Sequence, residues 1–232
     1  MFGKSFKDIN LLQKRPLAVK TSNFEIKEIF NNNDYSFIII NSFKRNIIKI
    51  PAKKFYFTTE NEIKNNSSFI YIAKNYLSLE VNDKYFIFFE KKVKLKDFKV
   101  EKKLKKNISF IKTKKRIKNK YWGKISDLFS SDNSCAKEIF MKKNTQSSME
   151  FHINKHESYF ILEGELDIGL RFGRAKQRIT KLKKNNIFTM LPGTMHMRMA
   201  KKDTIIIEMS NKDDDKDSII VHDGKKYKFK IN

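Results

Sequence analysis

Glycine, proline and histidine are crowded into one part of this chain, and that asymmetry limits what it can fold into. No glycine lies between Gly3 and Gly123 and no proline between Pro51 and Pro192, whereas Gly164, Gly169, Gly173, Pro192, Gly193 and Gly224 fall in the last third. All four histidines, His152, His156, His196 and His222, lie from residue 152 onward. Turn formers at this spacing mark short strands joined by tight turns, and they divide the 232 residues into two regions of different character. A chain of this length can bury one large core or two small ones.

The first region, residues 1 to 90, reads as short β-segments rich in Ile, Phe and Tyr. They run Ser36 to Asn41, Asn46 to Ile50, Lys54 to Thr58, Ser67 to Ala73, Tyr76 to Val81 and Lys84 to Phe89. Asn82-Asp83 between the last two predicts a tight hairpin. The region holds no histidine, no cysteine and no phosphate-type glycine loop, so it is expected to be an antiparallel sheet domain whose role the sequence leaves open.

Charge is concentrated just beyond this region. The chain has 50 Lys and Arg against 26 Asp and Glu, a net +24, and residues 91 to 120 alone hold 15 Lys or Arg against Asp97 and Glu101. That stretch reads as a solvated, self-repelling connector. Only seven of the cations are arginine, and only Phe98 and Phe110 interleave with the lysines of the connector. Binding to nucleic acid or another acidic surface is therefore an alternative, not the favoured reading, because phosphate recognition ordinarily uses guanidinium forks and stacking platforms. The single cysteine, Cys135, can form no internal disulfide and reads as a small buried apolar residue. With no apolar leader at the start and no run long enough to span a bilayer, the chain is expected to be cytoplasmic, without a membrane span.

The chemistry lies between Asn144 and His196. In a strand, the alternation Met149-Glu150-Phe151-His152 puts Glu150 and His152 on one face. Glu157 follows five residues after His152 and Gly164 seven after that. A second unit runs from Asn185 through Ile187 to Leu191, turns at Pro192-Gly193-Thr194 and starts a strand at His196. Two hairpins are thus expected to deliver imidazole and carboxylate groups to one inward face. Two imidazoles and one or two carboxylates so placed can hold Zn²⁺, Fe²⁺ or Mn²⁺ and leave positions open. His156 reads as surface, as does His222.

These residues resemble the cupin superfamily, whose two motifs have the forms G-x5-H-x-H-x4-E-x6-G and G-x5-P-x-G-x2-H. The chain reads Asn144-x5-Glu150-x-His152-x4-Glu157-x6-Gly164 and Asn185-x5-Leu191-x-Gly193-x2-His196, with the spacing kept throughout. Asparagine replaces both leading glycines, and it is the other residue that readily takes a left-handed turn conformation. Glu150 stands where the motif has its first histidine, and the proline falls one place late, at Pro192. Within the superfamily, residues 119 to 227 look most like the type II mannose-6-phosphate isomerase domain. The likeness rests on Trp122-Gly123, on His152, Glu157 and His196, and loosely on the segment Asp217 to Gly224.

The resemblance implies an all-β protein: a cupin jelly-roll barrel over residues 121 to 232, after a β-rich N-terminal region and the connector. It implies a divalent transition metal, Zn, Fe or Mn, held by Glu150, His152, Glu157 and His196. Glu150 or Glu157 would be the catalytic carboxylate, and Arg198, on the face of His196, would hold the phosphate of a small phosphorylated sugar. A homodimer fits such barrels. The expected function is a metal-dependent cupin acting on a sugar phosphate or nucleotide-linked sugar; the alternatives are a non-catalytic sugar-binding or regulatory cupin, or a binder of acidic surfaces through the connector.

Overall fold

In this computed structural model of the protein, residues 17–52, 54–65, 69–74, 78–104 and 109–229 are described. The chain is divided into two compact units, Pro16–Arg116 and Ile117–Asn232.

The N-terminal unit is built from β1 (Leu17–Lys20), β2 (Phe24–Asn31), β3 (Ser36–Ser42), β4 (Asn46–Lys49), β5 (Phe55–Thr59), β6 (Phe69–Lys74), β7 (Ser78–Val81), β8 (Lys84–Phe89), β9 (Lys99–Glu101) and β10 (Ser109–Lys114). The short helix α1 (Glu60–Lys64) follows β5 and is held by a capping box between Thr59 and Glu62. Its sheets have the orders β1-β2-β3-β8-β5-β6-β10 and β7-β4-β9. Apolar faces of both enclose one core, including Ile38, Ile48, Phe55, Phe57, Leu79, Ile87 and Phe89. Asn82-Asp83 does not form the expected hairpin: β7 and β8 lie in different sheets, so the chain turns a corner there.

Residues 91 to 120, expected to be a connector, contain β9, β10 and the start of the second unit. Val93 and Phe98 are buried in the N-terminal core while the lysines around them face water, which is how a strongly charged stretch is anchored by few apolar residues.

The C-terminal unit continues with β11 (Arg116–Lys120), β12 (Gly123–Ser130), β13 (Cys135–Met141), β14 (Met149–His152), β15 (Glu157–Glu163), β16 (Glu165–Phe172), β17 (Arg178–Lys183), β18 (Ile187–Met190), β19 (Thr194–Ala200), β20 (Thr204–Ser210) and β21 (Ser218–His222). Its sheets are ordered β11-β12-β13-β20-β15-β18 and β17-β16-β19-β14-β21. They close over a core of Ile139, Tyr159, Ile161, Ile168, Phe188 and Ile206 among others. The two expected hairpins are again corners, since β15 and β16, like β18 and β19, belong to opposite sheets. Each corner therefore carries the chain across the barrel. Asn144 and Asn185 have φ of 59° and 68°, the left-handed turns expected of them.

Gly164 makes the β15–β16 corner at φ 90°, and a Cβ there would come within 2.3 Å of the Asp203 carbonyl oxygen. Gly164→Ala is expected to destabilise this unit by about 1–3 kcal/mol. Denaturant unfolding followed by the fluorescence of Trp122, the only tryptophan and a member of this core, measures it.

The two units share one topology. Matching β1 through β5 to β11 through β15, and β6 through β9 to β18 through β21, reproduces both sheet orders. The differences are the β16–β17 hairpin, where the N-terminal unit has α1, and the extra edge strand β10. No sequence repeat announces this, because the equivalent rows carry different side chains. Lys137, Glu208 and Tyr159 form one row of the C-terminal unit, and Ile38, Ile87 and Phe57 form its counterpart.

Candidate metal centre

Strand β14 aims Glu150 and His152 into the C-terminal barrel, β19 contributes His196 and Arg198, and β15 opens with Glu157. Pairing of Glu150 with His196 across β14 and β19 brings the first two strands together. One ligand atom each from Glu150, His152 and His196 lies within 4.8 Å of the others. Both histidines are buried, at 6% and 1% exposure, and their rings sit 5.5 Å apart.

Each imidazole is oriented by its Nδ1. That of His152 lies 3.0 Å from the Asp217 carbonyl oxygen, and that of His196 lies 3.1 Å from the Thr194 carbonyl oxygen. A backbone carbonyl can only accept, so Nδ1 carries the proton and Nε2 presents its lone pair inward, the tautomer of a metal-ligating histidine. His196 Nε2 is fully buried and makes no hydrogen bond, although it stands 2.9 Å from Glu157 Oε1. A lone pair facing a carboxylate oxygen needs a positive charge between or upon them. A divalent ion supplies it, and so does a proton: burial disfavours the imidazolium of His196, but Glu157 outweighs this and raises its pKa. Metal and proton would compete for this nitrogen. Two imidazole nitrogens and a carboxylate oxygen suit a first-row divalent ion.

Glu157 differs from the other motif residues. Its Oε2 lies 2.7 Å from the Lys155 ammonium and its Oε1 accepts from the Tyr159 hydroxyl at 2.8 Å. Burial would raise its pKa, but Lys155 and then His196 hold the carboxyl well below the ordinary range. Lys155 is itself buried and reaches Glu208 Oε1 at 2.8 Å. Burial favours the neutral amine, yet Glu157 and Glu208 keep it charged, with a pKa raised well above the ordinary value.

Glu150 is bound on both oxygens, by Arg198 Nη2 at 3.0 Å and by the Ser218 hydroxyl at 2.5 Å. Its pKa is lowered, Arg198 and His196 together exceeding the cost of burial. Arg198, expected to hold a substrate phosphate, lines the pocket but is 6% exposed, paired with Glu150 and set against the rings of Trp122 and Tyr159. His156 lies outside the cluster, half-buried, and His222, expected on the surface, is half-buried and stacked on Tyr227 at 4.1 Å.

Sequence reasoning missed Lys155, Glu208 and Asp217. Glu208 had a signal, a carboxylate inside the apolar run Ile205-Ile206-Ile207 to Met209. Lys155 had none in a chain so rich in lysine. Asp217 caps the turn after β14, accepting from the amides of Ile153, Asn154 and Lys155. The cluster opens into a pocket of about 360 Å³.

No family model matches the chain, and no curated protein matches it in sequence. Solved structures do. The oxalate decarboxylase of Lactobacillus farciminis in its formate complex aligns with a TM-score of 0.66, covering 89% of this chain and 86% of that one at 9% identity. The Bacillus subtilis oxalate decarboxylase studied for its Mn(II) centres aligns with a TM-score of 0.65 over 89% and 77%, at 7% identity. The fold is that of a cupin. At this identity the likeness carries the fold alone, and its decarboxylase neighbours give no support to the mannose-6-phosphate isomerase resemblance. Among the described residues no helix of the chain is long and apolar enough to cross a membrane.

Proposed function

We propose that the C-terminal cupin barrel holds one divalent transition metal on His152, His196 and Glu150 and acts there on a small carbonyl compound of the sugar type. The observation that carries this reading is the buried convergence of three donor atoms, with both imidazoles fixed through Nδ1 so that Nε2 points inward. A bound metal would polarise a carbonyl oxygen of the ligand. Glu157, kept ionised by Lys155, is the group that accepts a proton from one carbon and returns it to the next. In an aldose-to-ketose conversion the proton leaves C2 for C1 and the hydroxyl proton passes from O2 to O1, so no oxidant is required. Arg198 and Ser218 hold Glu150 in place.

Incubating the metal-loaded protein with an aldose in D₂O tests the proton transfer. Ketose carrying deuterium at C1 is expected, lost in Glu157→Gln although the metal is retained. A second reading, metal-dependent binding without turnover, is favoured by the same ion pair, because a carboxylate held so acidic is a weak base. Ligand binding with neither ketose nor deuterium would decide for it.

A further inference from the structure

The protein carries a net +24, yet its metal pocket is acidic. Six carboxylates line it: Glu150, Glu157 and Glu208 around the candidate ligands, and Asp213, Asp214 and Asp215 farther out. Four cations line it as well, and the three buried ones are already engaged. Lys155 bridges Glu157 and Glu208, Arg198 holds Glu150, and Lys137 holds Asp213. Only Lys120 stands without a carboxylate partner among the described residues, and it is exposed, where water and salt screen it. Two of the outer acids are met by lysines from outside the lining, Asp214 by Lys212 at 3.0 Å and Asp215 by Lys118 at 3.7 Å. An added phosphate or dicarboxylate would enter a low-dielectric pocket in which every buried side-chain cation already holds a carboxylate.

From this we infer, building on the proposed metal centre, that the pocket selects an uncharged, hydroxyl-rich ligand, an unphosphorylated sugar, over phosphate esters and dicarboxylates. Hydroxyl groups can donate to the lining carboxylate oxygens, and they carry no charge for those carboxylates to repel. A volume of about 360 Å³ accommodates a monosaccharide. Arg198 thereby acts as the partner of Glu150, with no phosphate-binding role.

Calorimetric titration of the manganese-loaded full chain with D-mannose, D-glucose, D-xylose, D-mannose 6-phosphate and oxalate tests the inference, with the metal content measured before and after. At least one of the neutral sugars is expected to bind at least about tenfold more tightly than the phosphate ester and oxalate. Asp214→Asn with Asp215→Asn is expected to narrow the gap for the phosphate ester. Protein that keeps its manganese but binds mannose 6-phosphate or oxalate as tightly as any neutral sugar, or binds none of the sugars, overturns the inference and leaves the metal centre standing. Protein that cannot be loaded with manganese overturns the metal centre, and the inference with it.

Discussion

Lys155→Met is expected to destabilise the C-terminal barrel by about 3–5 kcal/mol, the usual cost of removing one partner from a buried ion pair. The ammonium of Lys155 lies 2.7 Å from Glu157 and 2.8 Å from Glu208, and all three side chains are at most 8% exposed. Methionine fills most of the volume, so the loss is electrostatic and no large cavity forms. Glu157 keeps Tyr159 and His196 as close neighbours, whereas Glu208 keeps Arg198 Nη1 at 3.9 Å and the charge of Lys137 on the adjacent strand. Glu208 is therefore the carboxylate left most exposed to its own desolvation. Adding Glu208→Gln to Lys155→Met should recover a large part of the loss, since the second substitution removes the charge that the first left unpaired. Denaturant unfolding read by Trp122 reports on this barrel specifically, because the N-terminal unit has no tryptophan. A Lys155→Met midpoint within about 0.5 kcal/mol of the parent would show that the bridge is not what holds these carboxylates.

What was legible in the sequence came from local constraint. Asn144 and Asn185 could be read as left-handed turns because few residues tolerate that conformation, and Glu150 and His152 share a face because strand side chains alternate. Sheet membership was hidden. Gly164-Glu165 and Asn82-Asp83 look like hairpin turns, and the same residue types serve a corner between two sheets; only the pairing partners distinguish them, and those lie far away in sequence. Lys155 was hidden for a related reason. Its burial depends on two carboxylates brought in by other strands, and one of those, Glu208, lies 53 residues away.

The shared topology of the two units sets the second large effect, the metal stoichiometry. Counted along equivalent ladders, the row of Glu157 and Ser210 corresponds to Phe55 and Phe89, and the row of Lys137, Glu208 and Tyr159 to Ile38, Ile87 and Phe57. The N-terminal unit thus places apolar side chains where the C-terminal barrel places its acids, and these pack into a continuous core with Ile48 and Leu79 from the facing sheet. Residues 17 to 116 contain no histidine or cysteine at all. One metal per chain, not two, is therefore expected after loading and removal of excess ion. Substituting His152→Ala or His196→Ala should each weaken metal binding by at least about 100-fold, since even the partners that orient a ligand are worth about 10–100-fold. Elemental analysis alongside Trp122 fluorescence separates lost ligation from lost folding. Two metals per chain would place a site where the structure has only hydrocarbon. Stoichiometric metal in either folded histidine variant would instead show that the ion is held elsewhere, and would take the metal centre out of this pocket.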